Sequence, residues 1–267
     1  MKTKRLIYQV KLGKSKLYNH CTESVAAYCK ANGIDYFVQT APILNIKPDP
    51  FTSNRSKESW SRFSCLPIYE KENAFNYLKS YDQVAIIDAD IWIRPGSANI
   101  FDKVPDDVSF GGVVEREMPI TEKYRQKIVN YSRMQYGNIR NVDWKWNSNG
   151  AEFFNMGMMV LNKSLLDYLK GETPLQFLSR PRFKPFIDGV GNWKWSTDQT
   201  LLNTWIKEEK IPTKHLTYHW NGLYSALQPG RINECNFVHF FLKDKLPNRG
   251  EDVSTLMKKV QKHEAIK

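Results

Sequence analysis

The run Val84-Ala85-Ile86-Ile87-Asp88-Ala89-Asp90 sets two carboxylates at i, i+2 directly behind an unbroken apolar stretch. Such a stretch predicts a buried strand. Alternate side chains of a strand share a face, so Asp88 and Asp90 are expected side by side at its carboxyl end. Two like charges repel there unless a divalent cation bridges them, and the carboxyl ends of strands are where open α/β sheets bind ligands. The feature predicts an α/β fold with a metal-nucleotide site. The competing reading is a turn carrying two solvated carboxylates.

The rest of the chain is consistent with one large α/β domain. At 267 residues it can bury a full core, and no proline-rich, glycine-rich or low-complexity stretch divides it. The expected organisation is a single domain over 1–267. It comprises a nucleotide-binding half (1–115), an acceptor-side half (116–247) and a basic C-terminal tail (248–267). A net charge of +11 suits anionic partners, from a membrane surface to a nucleotide sugar. The lysines are dispersed rather than clustered with arginine, which argues against nucleic acid. The tract Met257-Lys258-Lys259-Val260-Gln261-Lys262 reads as a solvated terminal helix, with peripheral membrane contact as the alternative. Four cysteines without C-x-x-C spacing, no secretory signal and no membrane-spanning run fit reduced thiols in a cytoplasmic protein.

Periodicity and punctuation give the element order. Leu6 to Val10 reads as a strand, Tyr18 to Ala31 as a helix closed by Asn32-Gly33, and Tyr36 to Val38 as the next strand. Pro42 to Lys57 reads as loop, and Trp60 to Leu78 as a helix leading to the Asp88/Asp90 strand. Val108 to Val114 is a glycine-interrupted strand. Residues 119–150 have a helical first half and read as a lid or an acceptor-side insertion. Phe153 to Asn162 is apolar, dotted with Asn and Gly. A helix opens at Ser196-Thr197-Asp198-Gln199, and Phe237 to Phe241 forms the last strand.

Four elements recur in order: Asp88-Ala89-Asp90, Phe154-Asn155-Met156-Gly157, Asp198-Gln199-Thr200-Leu201-Leu202-Asn203, and His239-Phe240 with Lys245 six residues beyond the histidine. From Val84 to Pro247 this set resembles the GT-A glycosyltransferases, most closely the retaining family 8 type that includes glycogenin and the lipopolysaccharide galactosyltransferases. The resemblance implies a GT-A fold, a single Rossmann-like domain with a mixed central sheet. It implies that Asp88, Asp90 and His239 ligate Mn2+ or Mg2+ at the diphosphate of a UDP-sugar. Oxygen ligands suit these hard ions, and an added imidazole tilts the preference toward Mn2+.

Further roles follow from the same resemblance. Lys245 falls where a lysine binds the leaving diphosphate, although Leu242 replaces the family's glycine and Leu246-Pro247 its Pro-Trp. Asp198 and Gln199 match the pair at the donor sugar, and Asn155 and Gly157 the strand on which an amide meets sugar and a glycine allows close approach. The Ser196-x-x-Gln199 spacing is equally a helix capping box. Arg62 matches loosely a basic residue set against the donor, with Lys71 as its rival. Tyr8 is a candidate to stack on uracil or a core residue, and Trp220 a candidate for the acceptor wall.

The reading is a metal-dependent glycosyltransferase moving a hexose or pentose from a UDP-sugar to a hydroxyl of a glycan, lipid or protein. Configuration would be retained, by same-face attack or through a covalent intermediate. Two alternatives stand beside it. A sugar-nucleotide pyrophosphorylase would use a basic glycine-rich loop, echoed by Lys11-Leu12-Gly13-Lys14-Ser15-Lys16. A non-catalytic carbohydrate- or polyanion-binding module would need no Asp88, Asp90 and His239 together. Donor sugar, acceptor and oligomeric state are left open.

Overall fold

Ser15 and Gly33 delimit the first helix in the computed structural model, which describes residues 3–260. The Ser15 hydroxyl accepts from the Tyr18 amide, and Gly33, at φ 63°, ends the Lys16–Asn32 helix in the left-handed conformation a residue without Cβ adopts freely. Nine strands are described: β1 (Arg5–Val10), β2 (Asp35–Gln39), β3 (Gln83–Ile87), β4 (Ile91–Ile93), β5 (Phe110–Val114), β6 (Phe154–Asn162), β7 (Thr213–Leu216), β8 (Gly222–Leu223) and β9 (Phe237–His239). Six form a mixed sheet in the order β2-β1-β3-β6-β5-β7. Its β1, β2 and β3 run parallel, while β6 runs antiparallel to both β3 and β5. A second sheet has the order β4-β9-β8.

Period-two alternation divides the core between the two faces of the large sheet. Ile7, Ala85, Ile87, Met158 and Val160 pack on one face. Leu6, Tyr8, Val84, Ile86, Met159 and Leu161 pack on the other. Every residue of β3 is buried, and each such Val or Ile contributes about 1.5–3 kcal/mol. Strands from before and after residue 116 interleave in this one sheet, so both halves of the chain build the same core. All four cysteines are buried and unpaired.

Several elements depart from the sequence expectation. Asp88 and Asp90 do not lie on a strand: β3 stops at Ile87, and the pair occupies the tight turn before β4. The chain must turn there because Ile91 leaves the large sheet to pair with His239 in the small one. The expected Trp60–Leu78 helix is one helical turn, Glu58–Ser61, followed by a run of 3-10 turns over Pro67–Lys79. Ser64 at φ 55° interrupts it, and Pro67 forces Leu66 into an extended conformation.

Residues 119–150 are anchored in the core. The Glu122–Tyr136 helix forms as expected, and Tyr136 and Trp144 beyond it stack in the core with ring centroids 4.2 Å apart. The C-terminal Val253–Val260 helix is not solvated all round, since Leu256, Met257 and Val260 are buried. Its apolar face is thus occupied by the protein's own core; Gln261 and Lys262 lie outside the described residues. No helix among the described residues is long and apolar enough to cross a membrane.

Candidate active site

The carboxyl ends of β1 and β3 open into a cavity of about 660 Å³. Two strand ladders assemble its floor. The β3–β6 pairing continues one step as the Asp88 amide donates to the Gly157 carbonyl at 2.8 Å. The β4–β9 pairing sets Ile91 opposite His239, and the Phe240 amide donates to the Asp90 carbonyl at 2.9 Å. As a result His239 Nε2 lies 3.3 Å from Asp90 Oδ1 and 3.8 Å from Asp88 Oδ2. One ligand atom from each of the three residues falls within 4.8 Å of the others.

A relay of amides fixes which imidazole nitrogen faces the carboxylates. Asn155 Nδ2 donates to Glu115 Oε2 at 2.9 Å, Asn221 Nδ2 donates to Asn155 Oδ1 at 2.8 Å, and Asn221 Oδ1 is left facing His239 Nδ1 at 3.0 Å. An amide oxygen only accepts, so Nδ1 carries a proton and Nε2 is the nitrogen that faces Asp88 and Asp90, where its lone pair would serve a bound cation. Two carboxylates and an imidazole so oriented suit a divalent cation such as Mn2+. Without a cation, burial disfavours the charged imidazole, but Asp90 and Asp88 beside it outweigh that and raise its pKa above the ordinary value. Burial likewise pushes the Asp88 carboxyl up, against the pull of Lys71.

Lys71 ties the floor together. Its ammonium donates to Asp88 Oδ1 and to the Met156 carbonyl, each at 2.9 Å, and pairs by charge with Asp198 Oδ2 at 2.7 Å. The sequence named Lys71 only as a rival to Arg62, and both line the cavity. Arg62 is exposed at the mouth over the Phe63 ring, whereas Lys71 is buried.

Asp198 and Gln199 also face the cavity, at the start of the Asp198–Glu208 helix. The expected capping box does not form. Thr197 is the cap, its hydroxyl accepting from the Gln199 amide, and Gln199 Oε1 instead accepts from the Met156 amide at 3.3 Å. The glutamine side chain is thereby turned toward β6 and the cavity.

The remaining expected residues divide. Asn155 and Gly157 border the cavity, but the Asn155 amide is already engaged with Glu115, Asn221 and the Gly157 amide. Its oxygen and one of its two N–H groups are thus spent on propping the floor. Tyr8 does not reach the cavity: it is fully buried, stacked on Phe37, with its hydroxyl bonded to Gln39 and Asn73. Trp220 is buried against Phe237, and it is the next residue, Asn221, that touches His239.

Lys245 is exposed outside the cavity, and Lys243 lines it instead, with its ammonium 3.9 Å from the Tyr18 ring centroid. The cause lies in Leu242, which adopts the left-handed conformation at φ 57° and starts a 3-10 turn that carries the two lysines apart. Glu115 was not anticipated from the sequence, and Asn221 only as part of the His219-Trp220-Asn221-Gly222 segment that resembles the family's W-N segment, with no role of its own. Both are buried polar residues whose role is visible only through partners far along the chain.

No protein-family model matches the chain, and no curated protein matches it in sequence. Solved structures do match in fold. The galactosyltransferase LgtC, solved in complex with donor and acceptor sugar analogues, aligns over 98% of this chain and 97% of its own at 12% identity, with a TM-score of 0.59. A glycosyltransferase involved in glycosylation of the major capsid of PBCV-1 aligns over 94% of this chain and 99% of its own at 13% identity, with a TM-score of 0.51. The fold is therefore the α/β GT-A type with a mixed central sheet.

Proposed function

We propose that this chain is a metal-dependent glycosyltransferase that moves a hexose or pentose from a UDP-sugar to a hydroxyl acceptor with retention of configuration. The observation that carries the reading is the convergence of Asp88, Asp90 and His239 at the cavity floor, with the imidazole tautomer fixed by Asn221. These three residues would hold Mn2+ or Mg2+, which as a Lewis acid would neutralise negative charge on a donor diphosphate.

The chain's own groups supply the rest. Arg62 and Lys243 at the mouth, and Lys14 beside them, offer positive charge to the leaving diphosphate. Lys243 thus takes the part that the sequence resemblance gave to Lys245. Asp198, fixed by Lys71, faces the position where positive charge builds at the anomeric carbon, and Gln199 orients the sugar beside it. For retention the acceptor hydroxyl, entering from the open side, would attack from the face the diphosphate leaves and pass its proton to a departing diphosphate oxygen, or would displace Asp198 from a glycosyl ester formed as the diphosphate left. A glycan, a lipid-linked glycan or a protein would serve as acceptor.

UDP release from a panel of nucleotide sugars, with and without Mn2+, tests this on the wild type and on Asp90→Ala. Metal-dependent release from one donor, lost in the variant, is the expected result. Absence of both release and metal-dependent UDP binding would overturn it in favour of a binding module. The Lys11–Lys16 loop borders the same mouth through Leu12, Lys14 and Ser15. Formation of a nucleoside triphosphate from a UDP-sugar and pyrophosphate would mark the pyrophosphorylase alternative.

A further inference from the structure

Just outside the cavity, three lysines meet without counter-ions. Phe241 lines the cavity and packs edge-on against Tyr124, with ring centroids 5.6 Å apart at 82°. This contact presses the first turns of the Glu122–Tyr136 helix against the loop after β9. Lys123 and Lys127 flank Tyr124 one turn apart on the helix, and Lys245 follows Phe241 by four residues on the loop, so the Tyr124–Phe241 contact sets the three on one side, where Lys127 and Lys123 act on the charge of Lys245. All three are exposed.

The nearest carboxylates along the chain are already engaged: Glu122 pairs with Arg125 at 3.1 Å and Asp244 with Arg249. None of the three lysines has a carboxylate partner among the described residues. The charges of Lys127 and then Lys123 hold the Lys245 pKa below its ordinary value. Lys123 also sits in the first turn of a 15-residue helix, where the helix dipole disfavours a cation. Like charges gathered against local preference at the edge of a ligand cavity are what an anionic ligand would relieve.

We propose that the Lys123, Lys127 and Lys245 cluster receives a phosphate group carried by the saccharide acceptor. This rests on the transferase reading and names the chemical class of its acceptor. The hydroxyl to be glycosylated would lie in the cavity beyond Phe241, with the phosphate held outside at the lysines. A membrane surface fits less well, because Leu242 is the one large apolar side chain exposed beside the cluster and the apolar face of the C-terminal helix is buried.

The test uses protein saturated with UDP and Mn2+, so that the cations at the mouth are occupied. Binding of glucose 6-phosphate and of glucose is measured by calorimetry on the wild type and on the combined Lys123→Ser, Lys127→Ser, Lys245→Ser variant. Saturable binding of the phosphosugar but not of glucose is expected, at least tenfold weaker in the variant and weakened by 0.5 M salt. UDP-sugar hydrolysis without acceptor should be unchanged in the variant. Equal binding of the two sugars, or of phosphosugar by the two proteins, overturns the proposal. Variant-sensitive binding to vesicles containing anionic phospholipid, with no phosphosugar binding, overturns it in favour of a membrane surface. Failure of UDP to bind the wild type would instead mark failure of the transferase reading itself.

Discussion

Gly157 stands so close to His239 that a Cβ added to it would lie 2.3 Å from the imidazole Cε1 and 2.6 Å from Nδ1. The glycine is needed for this approach and not for a left-handed backbone. Gly157→Ala must push the ring away from Asp88 and Asp90. A 10- to 100-fold loss of Mn2+ affinity is expected, by analogy with lost supporting contacts at metal sites, at about that magnitude. Calorimetric titration of Mn2+ checks it, with circular dichroism to show that the fold persists.

Asn221 acts on the metal through the far side of the same ring. Asn221→Ala leaves the imidazole free to turn or change tautomer and leaves the Asn155 oxygen one donor short. The expected cost is about 1–3 kcal/mol of stability together with weaker metal binding. Asn221→Asp keeps an acceptor for Nδ1 and should retain more metal affinity than the alanine variant. If the two bind Mn2+ equally, the hydrogen bond to Nδ1 does not orient the ligand.

Lys243 and Lys245 make opposite predictions although two residues apart. Lys243→Ala should raise the KM for the UDP-sugar roughly tenfold, about the value of one lost charge-assisted contact. Lys245→Ala should leave acceptor-free donor hydrolysis at the wild-type rate. Steady-state kinetics of UDP release on the two variants decides between the placement of Lys243 in the cavity wall and the spacing of the family motif.

Glu152 links the chain around the Glu122–Tyr136 helix to the Asp198–Glu208 helix. Burial would raise its pKa, but Lys207 at 2.9 Å and Lys145 at 3.2 Å prevail and hold it below the usual carboxylate value. A depressed native pKa means that the unfolded chain binds the proton more tightly. The stabilisation is present above the unfolded value, about 4.3, and is lost as pH falls through the lower native one. Glu152→Gln should therefore lower the urea midpoint at pH 7, and the gap from wild type should close as acid is added toward pH 3. A gap that persists unchanged in acid would show that the ion pairs are not its source.

Much of the frame was legible because local signals agree with the global fold. Asn32-Gly33 ends a helix where the sequence says, and the apolar runs at β1, β3 and β6 are strands. What was not legible depends on partners distant in sequence. Nothing around Asn221 signals that Glu115 and Asn155 will turn its amide toward a histidine. Tyr8 beside a strand end looks like a base-stacking residue until Gln39 and Asn73 claim its hydroxyl. The exchange of Lys245 for Lys243 follows from one left-handed residue, Leu242, whose conformation its side chain does not advertise.

The ammonium of Lys71 joins the carboxylate that would face the metal to the carboxylate that would face the sugar. The two carboxylates are in consequence coupled through a single cation, and a change at Lys71 is felt at both. A donor of different length or shape has to be accommodated by the walls, where Arg62 and Lys243 stand on irregular backbone. On the proposed function, donor choice would be retuned at the rim with the least disturbance, since a change at the Lys71 ammonium unbalances both carboxylates at once.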